Sequence, residues 1–73
     1  MAYRKIETSE ELIYINEINE ETHVVIRLSE FAPEIGIEYI EGGEEIYQEE
    51  YDEIAGEVYD FLRVGSHPPH SPR

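Results

Sequence analysis

The sequence predicts an α+β domain in which a three-stranded antiparallel sheet packs against one C-terminal amphipathic helix. Two patterns predict this class. Apolar and polar residues alternate through the middle of the chain, as in half-buried strands, and the last third repeats its apolar residues with the 3.6-residue period of a helix. The 73-residue length allows one small domain. We place it at residues 1–64 and predict a disordered tail at residues 65–73, where three of the four prolines lie.

Two strands are predicted in the middle of the chain. Residues 22–29 read THVVIRLS, a segment rich in β-branched side chains in which Val24, Ile26 and Leu28 alternate with other residues. Residues 35–40 read IGIEYI and alternate in the same way. Both segments therefore have the period of two that places every second side chain on one face of a sheet.

A third strand is predicted at residues 12–18, where two signals compete. Thr8 and Glu11 have the spacing of a capping box, which favours a helix. The run LIYI that opens the segment is β-branched and aromatic, which favours a strand. We favour the strand, with residues 19–22 as a hairpin loop to the next one. Residues 3–6 are an open candidate for a short fourth strand at the edge.

The helix is predicted from Glu44 onward. Gly42 and Gly43 mark its start, Arg63 suits the negative end of its dipole, and Gly65 is a candidate C-terminal cap. Its apolar residues follow a 3.6-residue period and define the face expected to pack on the sheet: Tyr47, Tyr51, Ile54, Ala55, Val58, Phe61 and Leu62.

Acidic residues dominate the composition. The chain has 18 Asp and Glu against 5 Lys and Arg, a formal net charge of −13, and all the carboxylates lie between Glu7 and Leu62. This balance argues against direct nucleic-acid binding, which needs a basic surface, and disfavours anionic membranes. No apolar run approaches the roughly 20 residues of a membrane span. Residues 1–5 do not begin a signal peptide, so we expect a cytoplasmic protein.

We expect no enzymatic activity. No serine has an obvious histidine base, because two of the three histidines fall in the predicted tail and His23 is expected to face solvent from its strand. Catalysis by paired carboxylates needs a pocket that raises one pKa by burial, and a core of this size rarely leaves a pocket of roughly several hundred Å³. We therefore predict no catalytic residue, no cofactor, no metal site and no small-molecule substrate.

Carboxylates recur along the predicted helix at four-residue spacing with no Lys or Arg between them. Neighbouring like charges at this spacing destabilise a helix by a few tenths of a kcal/mol per pair, so mixed signs would be more stable. One interpretation is a solvated face that keeps the protein soluble. The other is a negative surface for a basic protein partner, with tyrosines as apolar anchors. The second interpretation predicts these partner-binding residues: Glu45, Glu49, Glu50, Asp52, Glu53, Glu57, Asp60, Tyr47 and Tyr59.

A cysteine-free, single-domain, strongly acidic chain with a sheet and a carboxylate-rich helix resembles the small host-takeover inhibitors of bacteriophages. These include DNA mimics, anti-CRISPR proteins and small inhibitors of bacterial RNA polymerase. The resemblance covers the whole chain in size and charge, and it implies a non-catalytic protein that binds host RNA polymerase and blocks transcription initiation. No site residue follows from it. The open alternative is a DNA-mimic, anti-CRISPR, or antitoxin or immunity protein that neutralises another basic nucleic-acid-binding protein or nuclease.

Overall fold

A computed structural model describes the backbone of residues 2–66 and the side chains of residues 2–63. The elements in chain order are β1 (Ala2–Glu7), β2 (Glu11–Glu17), β3 (His23–Ser29), β4 (Glu34–Ile37), β5 (Glu44–Ile46) and α1 (Gln48–Ser66). The five strands form one antiparallel sheet in the order β4-β3-β2-β1-β5. The predicted α+β class, an antiparallel sheet with a C-terminal helix, is confirmed.

The segment with competing signals forms a strand, and Thr8 has a different role from the one its spacing suggested. The backbone N–H of Thr8 donates to the carbonyl of Glu11, 2.9 Å away, and the Thr8 Oγ1 atom accepts the N–H of Glu11 at 3.0 Å. These bonds close the turn between β1 and β2. At the next turn, the side-chain oxygen of Asn19 accepts the N–H groups of Glu21 and Thr22, so the predicted hairpin loop is also present.

The predicted edge strand at residues 3–6 lies inside the sheet. β1 pairs with β2 on one side and with β5 on the other, where Tyr3 is opposite Ile46 and Lys5 is opposite Glu44. The edge position belongs to β5, whose residues were predicted as the first turn of the helix. The predicted helix start at Glu44 is therefore wrong, and α1 begins at Gln48.

The backbone at Gly43 allows β5 to pair with β1. Gly42 and Gly43 both have positive φ, 91° and 96°, which L side chains rarely adopt. A Cβ atom at position 43 would lie 2.7 Å from Cγ1 of Ile6 and 2.9 Å from the carbonyl oxygen of Lys5. The glycine thus lets the backbone approach β1 closely enough for β5 to pair with it.

The helix covers one face of the sheet. Tyr14 from β2 and Ile26 from β3 are buried there against Tyr51, Ala55 and Val58 of α1. The predicted apolar period places these three helix residues correctly on the inner face, whereas Tyr47 and Phe61, predicted on the same face, are exposed.

The opposite face is covered by the link between β4 and β5, residues 38–43, which we call the strap. Since β4 and β5 are at opposite edges, the strap must cross about 19 Å of sheet, and six residues manage this only when nearly extended. Ile40 of the strap packs on a second buried cluster, Ile13, Ile15 and Val25. The strand predicted at residues 35–40 is therefore shorter: β4 ends at Ile37 because the chain leaves the sheet edge there.

At the end of the described chain, α1 continues through Gly65 to Ser66. The helix therefore runs past the glycine predicted as its cap. The rest of the predicted tail, residues 67–73, lies outside the described residues. Within residues 2–66, no helix is both long enough and apolar enough to cross a bilayer.

Candidate functional site: an acidic helix face

The helix is held on the sheet by its inner face, which fixes which carboxylates point outward. The ring of Tyr51 lies 5.2 Å from the ring of Tyr3, centroid to centroid, with the planes tilted by 47°. Burial raises the pKa of Tyr51 to about 12, as expected for a phenol held against the sheet. With Tyr51, Ala55 and Val58 facing the sheet, the residues on the opposite side of α1 face solvent.

Three of the predicted carboxylates form a continuous exposed line, which we call the acidic row: Glu49, Glu53 and Glu57. Each is exposed, and successive members lie one helical turn apart, with a rise of about 6 Å. No Lys, Arg or His of the described chain lies within ion-pair distance of any of the three. The acidic row therefore presents uncompensated negative charge.

Glu45 is not part of this row, contrary to the sequence prediction. It belongs to β5, where it is opposite Arg4 of β1. The guanidinium of Arg4 bonds to the strap, so strand alternation places Glu45 on the strap face, away from the helix. The four-residue spacing between Glu45 and Glu49 has no structural meaning because the helix begins after Glu45.

Glu50 and Asp60 lie on the helix, and both are paired. Oε2 of Glu50 is 3.4 Å from Nζ of Lys5, and Oδ1 of Asp60 is 2.6 Å from Nη2 of Arg63. The Glu50 carboxylate raises the pKa of Lys5 by direct charge attraction. These two carboxylates therefore contribute less net charge to the surface than the acidic row does.

The remaining predicted residues are exposed but lie apart. Asp52 is exposed beside the row. Tyr47 is 82% exposed at the junction of β5 and α1, and its carbonyl accepts the N–H groups of Glu50 and Tyr51 at the start of the helix. Tyr59 is 53% exposed near the other end. Neither tyrosine is used in the core, so both are free to contact a partner.

The cations of the described chain are all used in ion pairs. Arg4 pairs with Glu17, and Arg27 lies between Glu11 and Glu38 with N–O distances of 3.3 and 3.0 Å. Hydrogen bonding to Arg27 lowers the pKa of Glu38. Together with the pairs of Lys5 and Arg63, these contacts leave no Lys or Arg in residues 2–63 to neutralise the acidic row.

His23 is buried, and its predicted solvent-facing position is wrong. Its side chain stacks on Tyr39 at a centroid distance of 4.8 Å, and only 2% of the residue is exposed. The strap covers it, which the alternation of β3 alone could not show. Its Nε2 atom lies 3.9 Å from the carboxylate of Glu17.

An open surface cleft lies beside His23, although the sequence led us to expect no pocket of this size. Its volume is about 730 Å³, and Arg4, Glu17, His23, Tyr39 and Glu41 contribute to its walls. The cleft forms because the strap passes over the end of the sheet next to the β2–β3 turn. Arg4 is engaged there with Glu17 and the strap carbonyl of Ile40.

Within the described residues, no three His, Asp or Glu side chains are arranged to hold a metal ion. Comparison with protein-family models, with curated proteins and with solved structures finds no match. The site is therefore defined by its own geometry, as an exposed acidic row on a helix whose inner face is fixed to the sheet.

Two features of the surface escaped the sequence prediction. The Lys5–Glu50 pair depends on β1 lying next to α1, and the burial of His23 depends on the strap crossing the sheet. Both are contacts between residues 17 or more positions apart. Local period and propensity carry no information about such contacts.

Proposed function

We propose that this protein is a non-catalytic binding protein whose acidic row docks on the nucleic-acid-binding surface of a basic bacterial protein, with RNA polymerase as the first candidate. In this role it inhibits transcription initiation by occupying a surface that promoter DNA needs. The acidic row supplies charge complementarity, and the exposed tyrosines Tyr47 and Tyr59 supply apolar contact beside it.

The observation that supports this proposal most strongly is the distribution of the cations. Each of the four described cations is paired with a carboxylate outside the acidic row. Arg4 and Arg27 pair with carboxylates of the sheet and strap, Lys5 pairs with Glu50, and Arg63 pairs with Asp60. Like charges one turn apart on a helix oppose its formation. None of the four described cations pairs with the acidic row to relieve this repulsion, which favours a role for that charge in recognition.

The geometry also suits a surface that normally binds nucleic acid. Successive carboxylates of the row rise by about 6 Å, close to the separation of consecutive phosphates along an extended strand. A cleft lined by Lys and Arg attracts such a row at long range, so complementarity speeds association and selects the partner. Affinity then depends on apolar groups desolvated in the contact, for which Tyr47 at the start of α1 and Tyr59 on its flank are the candidates.

The test is affinity capture from a bacterial lysate on three immobilised proteins. The first is the wild type, and the second carries Glu49→Lys, Glu53→Lys and Glu57→Lys. The third is a control of equal charge change, with Glu10→Lys, Glu20→Lys and Glu21→Lys, three exposed glutamates in the turns of the sheet. Because the control has the same net charge as the row variant, any difference between them reports position and not total charge.

The proposal predicts that RNA polymerase subunits elute from the wild-type and control columns as salt is raised, and that the row variant retains about tenfold less. Equal retention by the row variant and the control contradicts docking through the acidic row. Loss of retention on Tyr47→Ala or Tyr59→Ala with none on row reversal would contradict the electrostatic part. Recovery of one basic nuclease in place of polymerase would reject polymerase and favour the antitoxin alternative.

A further inference from the structure

The β4 edge of the sheet is open in the described structure. β4 pairs with β3 on one side, and on the other side no element of residues 2–66 pairs with it. The strap leaves β4 toward the face opposite the helix, so it does not cover this edge. Glu34, Gly36 and Ile37 are exposed.

The ladder with β3 shows which backbone groups point outward. In an antiparallel pair, residues alternate between bonding to the opposite strand and directing both backbone groups away from it. The N–H of Glu38 donates to the carbonyl of His23, 3.0 Å away, so the backbone groups of Glu38 point toward β3. The backbone groups of Ile35 and Ile37 alternate with those of Glu38 and point away from β3. Their N–H and C=O groups have no partner among the described residues.

The side chains along this edge are divided by chemistry between the two faces. Ile35 and Ile37 lie on the helix face, and Ile37 is 68% exposed. Glu34 and Glu38 lie on the strap face, with Gly36 between them. A Cβ atom at Gly36 would have nothing within 4 Å, so the space between the two carboxylates is open.

We propose that the open edge of β4 binds an extended segment of a basic partner protein as a sixth strand, with apolar side chains alternating with Lys or Arg. Apolar side chains of the segment lie beside Ile35 and Ile37. A basic side chain opposite Gly36 lies beside Glu34, while Glu38 stays paired with Arg27. The basic character of the partner rests on the proposed function, whereas the alternation follows from the two faces of β4. The net charge of −13 disfavours a second copy of this chain on the same edge.

The test uses two synthetic eight-residue peptides of equal composition. One alternates lysine and valine, and the other groups four lysines and then four valines. The alternating peptide should protect the amide protons of Ile35 and Ile37 from hydrogen exchange in the full-length protein, and it should bind about tenfold more tightly than the grouped peptide. Equal affinity, or no protection at either amide, overturns the inference.

Two variants separate main-chain pairing from side-chain contact. Ile37→Pro removes an outward N–H without removing a bond to β3, so the sheet is retained while affinity for the alternating peptide falls about tenfold. Ile37→Thr keeps the N–H and should cost less than about threefold. If Ile37→Pro does not fold, the exchange measurement on the wild type decides alone. Unchanged affinity in a folded Ile37→Pro overturns the inference, as does concentration-dependent dimerisation that Ile37→Pro abolishes.

These outcomes are distinguishable from those for the acidic row. Loss of polymerase capture on row reversal, with no peptide bound at β4, rejects the sixth strand and leaves the proposed function standing. Peptide pairing at β4 with no effect of row reversal on capture rejects the role of the row and leaves the sixth strand.

Discussion

The Nδ1 atom of His23 accepts the backbone N–H of Ile40 at 3.2 Å, and this bond ties the strap to β3. The histidine also stacks on Tyr39, the residue before Ile40. Arg4 secures the same segment from β1, donating to the carbonyls of Ile40 and Gly42. Two polar side chains of the sheet thus satisfy the backbone of the link that closes the second core cluster.

Replacing His23 should therefore destabilise the fold. His23→Phe retains an aromatic ring of similar shape but cannot accept the N–H of Ile40, and a buried donor without a partner costs about 1–3 kcal/mol. We expect the free energy of unfolding in urea to fall by about that amount. Tyr39→Phe is the matched control, since it keeps the stacked ring and removes only an exposed hydroxyl with its hydrogen bond to Glu41. An unchanged urea midpoint for His23→Phe would show that the strap does not need this bond.

Gly43 should be intolerant of any side chain. Gly43→Ala places a Cβ atom 2.7 Å from Ile6 and imposes a φ of 96° on an L residue, so we expect a loss of about 2–4 kcal/mol in the free energy of unfolding. Gly36→Ala is the control, because it meets open space, and it should change stability by no more than about 0.5 kcal/mol. Similar effects of the two substitutions on chemical denaturation would contradict the close approach of residue 43 to β1.

Alkaline pH should destabilise the protein through its buried tyrosines. Burial raises the pKa of Tyr51 to about 12 and also raises that of Tyr14. A raised folded-state pKa means that stability is fully present below the unfolded value near 10 and is lost as pH rises from there through the folded value. Tyr51→Phe should lose less stability than the wild type between pH 9 and pH 11. If the free energy of unfolding, measured in urea, falls by the same amount in the two proteins between pH 9 and pH 11, burial of the Tyr51 phenol is contradicted.

Salt should stabilise the protein from low ionic strength upward. Screening weakens the repulsion among the exposed carboxylates, and the few ion pairs lose less than the repulsion does. A gain of about 1 kcal/mol would raise Tm by roughly 4–8 °C for a domain of this length. The row variant, with three lysines at positions 49, 53 and 57, should show a smaller rise. A flat Tm between low and moderate salt would show that the carboxylates are too dispersed to repel one another.

The strands and the inner face of the helix could be predicted because local pattern determines them. β2 and β3 are β-branched segments with period two, and Tyr51, Ala55 and Val58 repeat with the helical period. The acidic row follows from the same period, so its three members were placed correctly. Glu45 was misplaced because Glu44–Ile46 continues the helical spacing in sequence.

β5 is a strand because it pairs with β1, and the local sequence pattern carries no information about that distant contact. Its three residues pair with Tyr3, Arg4 and Lys5, some 40 positions earlier in the chain. His23 is another example. Its strand alternates as expected, but the residues that bury it belong to the strap, which follows β4 in the chain. Pairing across long sequence separations therefore accounts for each of these departures from the prediction.

If the acidic row docks as proposed, it occupies a surface that nucleic acid would otherwise bind. The most direct test measures promoter-DNA binding by purified bacterial RNA polymerase while the protein is titrated in, using the wild type, the row variant and the charge-matched control. We expect the wild type and the control to displace DNA, and the row variant to need about tenfold higher protein concentration for the same displacement. Undiminished DNA binding at saturating wild-type protein, or equal displacement by the row variant and the control, would contradict it.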